Sequence, residues 1–205
     1  QSDESLRIGD PALGEGEGDL GLLIAEFAWD TIDQVDIPRH GTLMALGWNG
    51  AREGLGSDGV FDVASFFLLK PVTWGRNTLL NWWNLDSTVR DETAGIQPFT
   101  LGGLFNLSGY AIGELSGKHR GIGRLVYYRR LGDESLPGFD TPVYVGASLE
   151  AGNVWASTDD VSFASALTAG SLFVVMDTLL GPLYLGYGVG EGDRRSAYLF
   201  LGQTF

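Results

Sequence analysis

The chain has 205 residues, enough for one all-β domain with a sizeable interior. Its 13 Lys and Arg residues against 26 Asp and Glu residues give a formal net charge of −13. That balance argues against nucleic-acid binding, which needs basic side chains to neutralise phosphates. The chain contains no cysteine, so disulfides and thiolate zinc sites are excluded.

Segments with the alternation typical of β-strands recur along the chain, separated by turn residues. In several of them one face is apolar and the other carries glycine or a carboxylate, which is typical of a barrel with lipid outside and a polar lumen inside. We expect residues 1–18 to form a weak first strand and a flexible acidic, Gly-rich loop, and residues 19–205 to form the barrel domain. The ten predicted strands are approximately 4–10, 19–31, 40–50, 59–70, 74–87, 119–131, 142–152, 163–177, 181–190 and 195–205.

The connections differ in length, and we expect the tight ones to lie mainly at one end of the strands. Lys70-Pro71-Val72 and Leu179-Leu180-Gly181-Pro182 are predicted to be tight turns. Such asymmetry is typical of outer-membrane barrels, although 32–39 and 132–141 depart from it. The longer connections, which are acidic or rich in glycine, are predicted at 10–18, 51–58, 153–162 and 190–194.

No motif of the sequence predicts catalysis, a cofactor or a metal site. Ser148 lies in G-A-S-L-E within a predicted strand, which is the wrong context for a nucleophile elbow, and Ser108 lacks the first glycine of that motif. His40 and His119 are predicted to be surface histidines, and Asp159-Asp160 to be solvated loop acids. We therefore predict a protein that is not an enzyme and needs no cofactor.

The segment 96–118 interrupts the strand pattern. About 20 residues is long for a connection between strands, and such loops are usually functional or disordered. This one is rich in apolar side chains and glycine, so we expect it to fold inward and pack against the sheet. Its candidate site residues are Phe99, Leu101, Gly102, Gly103, Leu107, Ser108, Gly109 and Tyr110.

Several motifs occur in an order and at spacings that point to one family. They are F-T-L-G-G-L-F-N-L-S-G-Y at 99–110, D-T-I-D…I-P-R-H-G at 30–41, L-E-A-G-N-V-W at 149–155, D-T-L-L-G-P-L-Y-L-G-Y-G at 177–188 and the terminal strand. With these motifs the chain resembles the barrel-assembly-factor superfamily, also called the bacterial surface antigen family. It is most similar to the C-terminal barrel of patatin-like phospholipase autotransporters.

This resemblance implies a translocator or anchor in the bacterial outer membrane, which exports or displays an attached domain. Its implied partners are outer-membrane lipid and the barrel assembly machinery, and any lipase activity would lie in a domain outside this chain. In the family the long loop enters the lumen, where its arginine meets acidic residues. Ser108 stands at that position here, so a neutral hydrogen bond would replace the charge-assisted contact. The candidate lumen-facing acidic residues are Glu150 and Asp177, with Arg120, Arg124 and Arg130 as alternative partners.

The terminal strand, with Leu199, Leu201 and Phe205, is predicted to be the assembly signal. The family usually has 16 strands, so a chain with about ten is either a partial or a shortened member. A closed ten-stranded barrel that also holds the long loop would have no room for an open channel. The alternative function is a stand-alone small outer-membrane barrel or pore, which oligomerises and carries no passenger. A soluble β-sandwich binding module is the remoter rival.

Overall fold

The computed structural model describes residues 19–92, 97–131, 142–178 and 180–202. Three single-turn 3₁₀ helices, Glu53–Leu55, Thr158–Asp160 and Phe163–Ser165, lie in connections. Within the described ranges, no helix is long and apolar enough to cross a membrane. The strands are β1 (Leu22–Asp30), β2 (Leu43–Ala51), β3 (Phe61–Trp74), β4 (Asn77–Asp91), β5 (Phe99–Leu101), β6 (Leu115–Gly117), β7 (His119–Leu131), β8 (Val143–Trp155), β9 (Leu167–Thr178), β10 (Gly181–Gly190) and β11 (Arg194–Leu201).

Nine of these strands form one antiparallel sheet in the order β1-β2-β3-β4-β7-β8-β9-β10-β11. β5 and β6 form a separate two-stranded hairpin. The predicted all-β, antiparallel architecture is therefore confirmed, and nine of the ten predicted strands coincide with strands of the sheet. The predicted strand 4–10 lies outside the described residues. Among the described strands β1 and β11 do not pair, so the sheet is open and is not a closed barrel.

The prediction of a tight turn at Lys70-Pro71-Val72 is wrong. β3 continues to Trp74, and the turn to β4 is formed by Gly75 and Arg76, with Gly75 at a left-handed φ of 58°. Proline is tolerated in β3 because the ladder to β2 ends at Leu69. Beyond that point β3 pairs with β4 alone among the described strands, so the missing N–H of Pro71 breaks no bond of the ladder to β2.

Strand alternation gives the sheet two chemically different faces. On one, which we call the loop-covered face, aromatic and aliphatic side chains form the core together with residues of two connections. On the other, the exposed face, large apolar side chains are open to the surroundings. The buried core residues include Leu80, Trp82, Val126, Tyr128, Tyr144, Phe173, Val175 and Tyr184. Among the residues of the exposed face are Leu125, Leu149, Leu172, Leu185 and Leu199.

The connection 31–42 folds over the loop-covered face at the end of the sheet that contains the Gly75 turn, which we call the Gly75 end. Its Ile37 and Pro38 are buried, and Ile37 joins the core. The hydroxyl of Tyr128 donates a hydrogen bond to the carbonyl oxygen of Pro38. Within this connection the carboxylate of Asp33 accepts hydrogen bonds from the backbone N–H groups of Arg39 and His40, at 2.9 and 3.1 Å. This end of the interior is therefore closed by the chain itself.

Acidification is expected to loosen the connection 31–42. Burial raises the pKa of Asp33, but the hydrogen bonds from Arg39 and His40 outweigh it and hold that pKa below its ordinary value of 3.8. A depressed carboxyl pKa gives stabilisation that is complete above the unfolded-state pKa and is lost as the pH falls through the folded-state pKa. The free energy of unfolding, measured against pH, should therefore fall less steeply at acid pH in Asp33→Asn than in the unmodified chain. Identical slopes would show that Asp33 does not contribute.

Candidate functional site

Residues 99–117 lie on the loop-covered face at the opposite end of the sheet, which we call the Gly192 end after its β10–β11 turn. The β5–β6 hairpin closes the base of this loop, with Phe99 opposite Gly117 and Leu101 opposite Leu115. The tip packs on β7, β8 and β10, and its buried residues are Leu101, Gly102, Gly103, Phe105, Leu107, Ser108, Gly109 and Tyr110. The structure thus brings the predicted loop residues together against the sheet, with Phe99 half-buried at the rim.

Ser108 and Glu150 form the central contact between the loop and the sheet. The backbone N–H of Ser108 donates to Glu150 Oε2 at 2.7 Å, and its hydroxyl donates to Oε1 at 2.6 Å. Ser148 donates to the same Oε1 at 2.5 Å and also contacts the hydroxyl of Ser171 at 2.7 Å. The N–H of Phe105 donates to the hydroxyl of Ser108 at 3.1 Å. The buried carboxylate therefore accepts three hydrogen bonds, which offset part of the cost of removing it from water.

Arg124 holds a second part of the loop. It lies directly opposite Glu150 in the β7–β8 register. Its guanidinium donates to the side-chain oxygen of Asn84 at 2.5 Å and to that of Asn106, in the loop, at 2.9 Å. It also lies 3.9 Å from the centroid of the Trp82 ring, within the range of a cation–π interaction. Arg124, the basic residue directly opposite Glu150, therefore binds both the loop and the core.

The last described strand also contacts the loop. The N–H of Gly109 donates to the hydroxyl oxygen of Tyr198 at 2.9 Å, and that hydroxyl donates to the carbonyl oxygen of Tyr110 at 3.3 Å. Ser196 donates to the carbonyl oxygen of Gly109 at 3.1 Å. The guanidinium carbon of Arg194 lies 4.6 Å from the centroid of the Tyr110 ring. Loop residues 109 and 110 are therefore bonded to β11 through both backbone and side-chain groups.

Glycines of β10 allow the loop to approach the sheet closely. A Cβ atom at Gly188 would lie 2.6 Å from Ser108 Cβ and 2.7 Å from the backbone nitrogen of Gly109. At Gly190 it would lie 2.6 Å from the ring of Tyr110. Gly109 has a left-handed φ of 96°, and a Cβ there would lie 2.5 Å from the nitrogen of Gly190. No side chain fits between these two backbones, so glycine is required for steric reasons.

The loop backbone is strained at its centre. Phe105 and Leu107 have φ values of 60° and 68°, in the left-handed region that non-glycine residues rarely adopt. Such conformations cost on the order of 1–3 kcal/mol each and persist only where the surroundings impose them. Both side chains are almost completely buried, and Phe105 packs edge-on against Phe173 with ring centroids 4.8 Å apart. The packing and the contacts to Glu150 therefore hold the loop in this one conformation.

Asp177, the other acidic residue predicted to face the loop, lies elsewhere. It follows the residue opposite Glu150, Ala169, by eight positions along β9, or about 26 Å at 3.3 Å per residue. Its N–H donates to the carbonyl oxygen of Pro142, which places it at the Gly75 end. The backbone of Arg130 lies at that end as well, because its N–H donates to the carbonyl oxygen of Arg76. Neither residue is near the Ser108–Glu150 contact.

The other residues singled out in the sequence lie in several parts of the structure. Arg120 forms an ion pair with Asp86, with N–O distances of 2.6 and 2.8 Å. Leu199 and Leu201 lie on the exposed face of β11, whereas Phe205 is outside the described residues. The expectation that His119 is a surface residue is wrong. It is buried at the start of β7 and its Nδ1 lies 2.8 Å from the hydroxyl oxygen of Ser87.

The central contact of the network is buried. Ser108 and Glu150 share a short hydrogen bond, yet their exposed fractions are 0% and 3%. Over the described ranges, no group of three or more His, Cys, Asp or Glu residues is placed to hold a metal ion. No protein-family model matches the chain, and no curated protein is significantly similar to it.

Replacing Tyr198 by Phe is expected to weaken the attachment of the loop to β11. The change removes the acceptor of the Gly109 N–H and the donor to the Tyr110 carbonyl, and it leaves the ring in place. Leaving a buried N–H without a partner costs about 1–3 kcal/mol in free energy of unfolding, measurable by denaturant titration. Tyr187→Phe, on the exposed face of the neighbouring strand, is the matched control and should have little effect. Equal effects of the two changes would contradict the assignment.

Proposed function

We propose that this chain forms the membrane-spanning β-sheet of a bacterial outer-membrane barrel, and that it anchors or helps to export an attached domain. The observation that carries the proposal is the exposed face, where large apolar side chains form a continuous surface. Leu125 lies opposite Leu149, and Leu185 lies opposite both Leu199 and Val174. The exposed fractions of Leu149, Leu172 and Leu199 are 70%, 68% and 73%. A contiguous apolar surface of this kind marks a site that contacts membrane or protein.

Strand length and the position of charges support contact with a membrane. β4, β7 and β8 have 15, 13 and 13 residues, and about 9–11 tilted residues suffice to cross the hydrocarbon layer. Three basic residues share the exposed face, and each lies towards one end of its strand. These are Lys70, Arg129 and Arg195. Charges near the ends of a spanning strand cost far less than charges at the centre of the bilayer.

The filled loop-covered face favours an anchor over an open pore. The loop 99–117 packs on it at the Gly192 end, and the connection 31–42 covers it at the Gly75 end. Between them, beside Phe105 and Tyr184, the cavity measures only about 10 Å³. The export or display of an attached domain is suggested by the sequence resemblance alone. No contact among the described residues identifies a passenger.

A concavity of about 1470 Å³, lined by residues from both faces of the sheet, favours a second candidate function. It lies between the sheet and the segment 158–169, and its lining includes Leu46, Trp83, Leu125 and Leu149. An apolar concavity of this size has room for the acyl chains of a lipid. The second candidate is therefore a water-soluble open sheet that carries lipid in this concavity.

Leu172→Arg separates the two functions, because Leu172 lies on β9 outside the lining of the concavity. At an exposed position in water this change is expected to alter stability by less than about 0.5 kcal/mol. Facing the centre of a bilayer, it should cost about 2–4 kcal/mol. The measurement is the folded fraction in phospholipid vesicles and the free energy of unfolding from them. Val189→Arg, next to Arg195 at the end of β10, is the matched control and should cost at most about 1 kcal/mol.

A neutral Leu172→Arg would contradict the membrane proposal. If the chain is a lipid carrier, it should remain soluble without detergent. Trp83→Arg, within the concavity, should then also abolish binding of a fluorescent fatty acid. Insertion of the unmodified chain into vesicles, with a clear loss for Leu172→Arg alone, would support the membrane-spanning sheet.

A further inference from the structure

The exposed face carries a compact group of polar and aromatic side chains at the Gly75 end, on β3, β4 and β7. Trp74, Asn77 and Arg129 lie directly opposite one another across these three strands. Tyr127 lies two residues before Arg129 and therefore on the same face, because side chains alternate along a strand. We call Trp74, Asn77, Tyr127 and Arg129 the Arg129 cluster.

Hydrogen bonds within the cluster fix its two aromatic rings. The hydroxyl of Tyr127 donates to the side-chain oxygen of Asn77 at 2.8 Å, and Asn77 Nδ2 donates to the carbonyl oxygen of Trp74 at 3.2 Å. The rings of Trp74 and Tyr127 lie side by side, with centroids 6.4 Å apart. Both residues remain open to the surroundings, with exposed fractions of 51% and 36%. The cluster is thus ordered by its own contacts and still presents its rings outward.

The charges on this end of the exposed face are positive. Arg129 and Lys70 are both exposed there, and neither takes part in any of the ion pairs between described residues. The strand carboxylates at the same end, Asp30 and Asp177, belong to the loop-covered face, because each aligns with core residues on that face. A chain with a formal net charge of −13 therefore presents cations, and no carboxylate of a described strand, at this place.

We propose that the Arg129 cluster binds the phosphate of an anionic phospholipid headgroup. The inference rests on the proposed function and deepens it, since it names the lipid that the Gly75 end of the sheet contacts. A guanidinium binds phosphate oxygens through paired N–H groups, and the indole N–H of Trp74 is a second donor. The backbones of Trp74 and Arg129 are two strand spacings apart, about 10 Å, with Asn77 between them. A phosphate above Asn77 would lie within reach of both donors.

The neighbouring residues suit the rest of the lipid. The next row towards the middle of the sheet consists of Val72, Leu79 and Tyr127, and Val72 is 48% exposed. A headgroup held by the cluster would place its acyl chains on this row and on the apolar surface beyond it. Tryptophan and tyrosine are enriched at the boundary between headgroups and hydrocarbon, because each has an apolar ring and one polar group. The flexible side chain of Lys70 can extend towards a second phosphate.

Titration of the full chain with lipid in a nonionic detergent tests the site. Bound lipid is counted by native mass spectrometry, with phosphatidylglycerol as the anionic probe and phosphatidylcholine as its zwitterionic counterpart. A Lys or Arg at an anionic lipid surface strengthens binding by about fivefold. Arg129→Gln and Lys70→Gln should therefore each raise the Kd for phosphatidylglycerol by about fivefold and leave that for phosphatidylcholine nearly unchanged. Trp74→Phe, which keeps a ring but removes the N–H, should raise it by about twofold or more.

Arg195→Gln is the matched control, because it removes the same charge from the same face at the opposite end of the sheet. It should change the Kd for phosphatidylglycerol by less than about twofold, since Arg195 lies far from the Arg129 cluster. An effect equal to that of Arg129→Gln would overturn the site, because any cation on the exposed face would then suffice.

Two further results would overturn the proposal. One is equal affinity of the unmodified chain for the two lipids. The other is displacement of bound phosphatidylglycerol by glycerol 3-phosphate, which would assign the site to a soluble phosphate. Failure of the unmodified chain to insert into phosphatidylcholine vesicles would count against the proposed function, whereas normal insertion with equal lipid affinities would count against the headgroup site alone.

Discussion

Replacing Glu150 by Ala is expected to detach the loop 99–117 from the sheet and to lower the free energy of unfolding by about 3 kcal/mol. The change removes the acceptor of three hydrogen bonds, from the backbone and hydroxyl of Ser108 and from the hydroxyl of Ser148. Hydrogen bonds to charged groups contribute about 1.5–3 kcal/mol each, and relief from burying the carboxylate offsets part of their loss. Denaturant titration and the rate of tryptic cleavage at the exposed Lys118 measure the effect.

Two control variants make the result specific. Glu150→Gln keeps the side-chain volume and one carbonyl acceptor, so it should lose less stability than Glu150→Ala. Glu26→Ala removes an exposed carboxylate from β1 and should leave cleavage at Lys118 unchanged. If Glu150→Ala left both stability and cleavage as they are in the unmodified chain, Glu150 would not hold the loop.

Gly188→Ala is expected to lower the free energy of unfolding by a comparable amount, but for a different reason. The added methyl group would lie 2.7 Å from the backbone nitrogen of Gly109 and 2.6 Å from Ser108 Cβ, so the loop or β10 must move. Overpacking of this kind costs about 1–3 kcal/mol, and the displaced loop would also lose its contact with Glu150. We expect a loss at the upper end of that range, measured by thermal or denaturant unfolding.

Gly186→Ala is the matched control for this change. It lies on the same strand and face, two residues away, but its added methyl group would meet the methyl groups of Leu104 at 3.1 and 3.2 Å. Those atoms end a flexible side chain, which can shift at little cost. The loss should therefore be clearly smaller than for Gly188→Ala. Equal losses would mean that close contact between the backbones does not govern the site.

The sequence predicted the strands because alternation with period two is a local signal. It is clear in β8 and β10, where every second residue meets the loop-covered face. The course of β3 beyond Lys70 was missed because Pro71 normally ends a strand, and only the short ladder of β2 makes it acceptable. The β5–β6 hairpin has three residues per strand, too few to produce a periodic signal.

The candidate site was only partly predictable, because its contacts join residues that are far apart in sequence. The pairing of Ser108 with an acidic residue followed from the resemblance to a family, and it led to Glu150 as well as to the distant Asp177. Gly109 and Tyr198 are 89 residues apart, and no local pattern identifies Tyr198 as a partner of the loop. The glycines of β10 were visible in the sequence as an alternating series. That the loop packs closely against them is seen only in the structure.

The most direct test of the proposal that the sheet spans a membrane is the environment of its exposed face in phospholipid vesicles. Single cysteines at Leu149, Leu172 and Leu185 can carry nitroxide labels, with a label at the loop residue Asp159 as control. We expect relaxation of the three strand labels to be enhanced by oxygen, which concentrates in lipid, and hardly affected by a water-soluble nickel complex. The label at Asp159 should respond mainly to nickel. Strong nickel accessibility at Leu149, Leu172 and Leu185 would contradict the account.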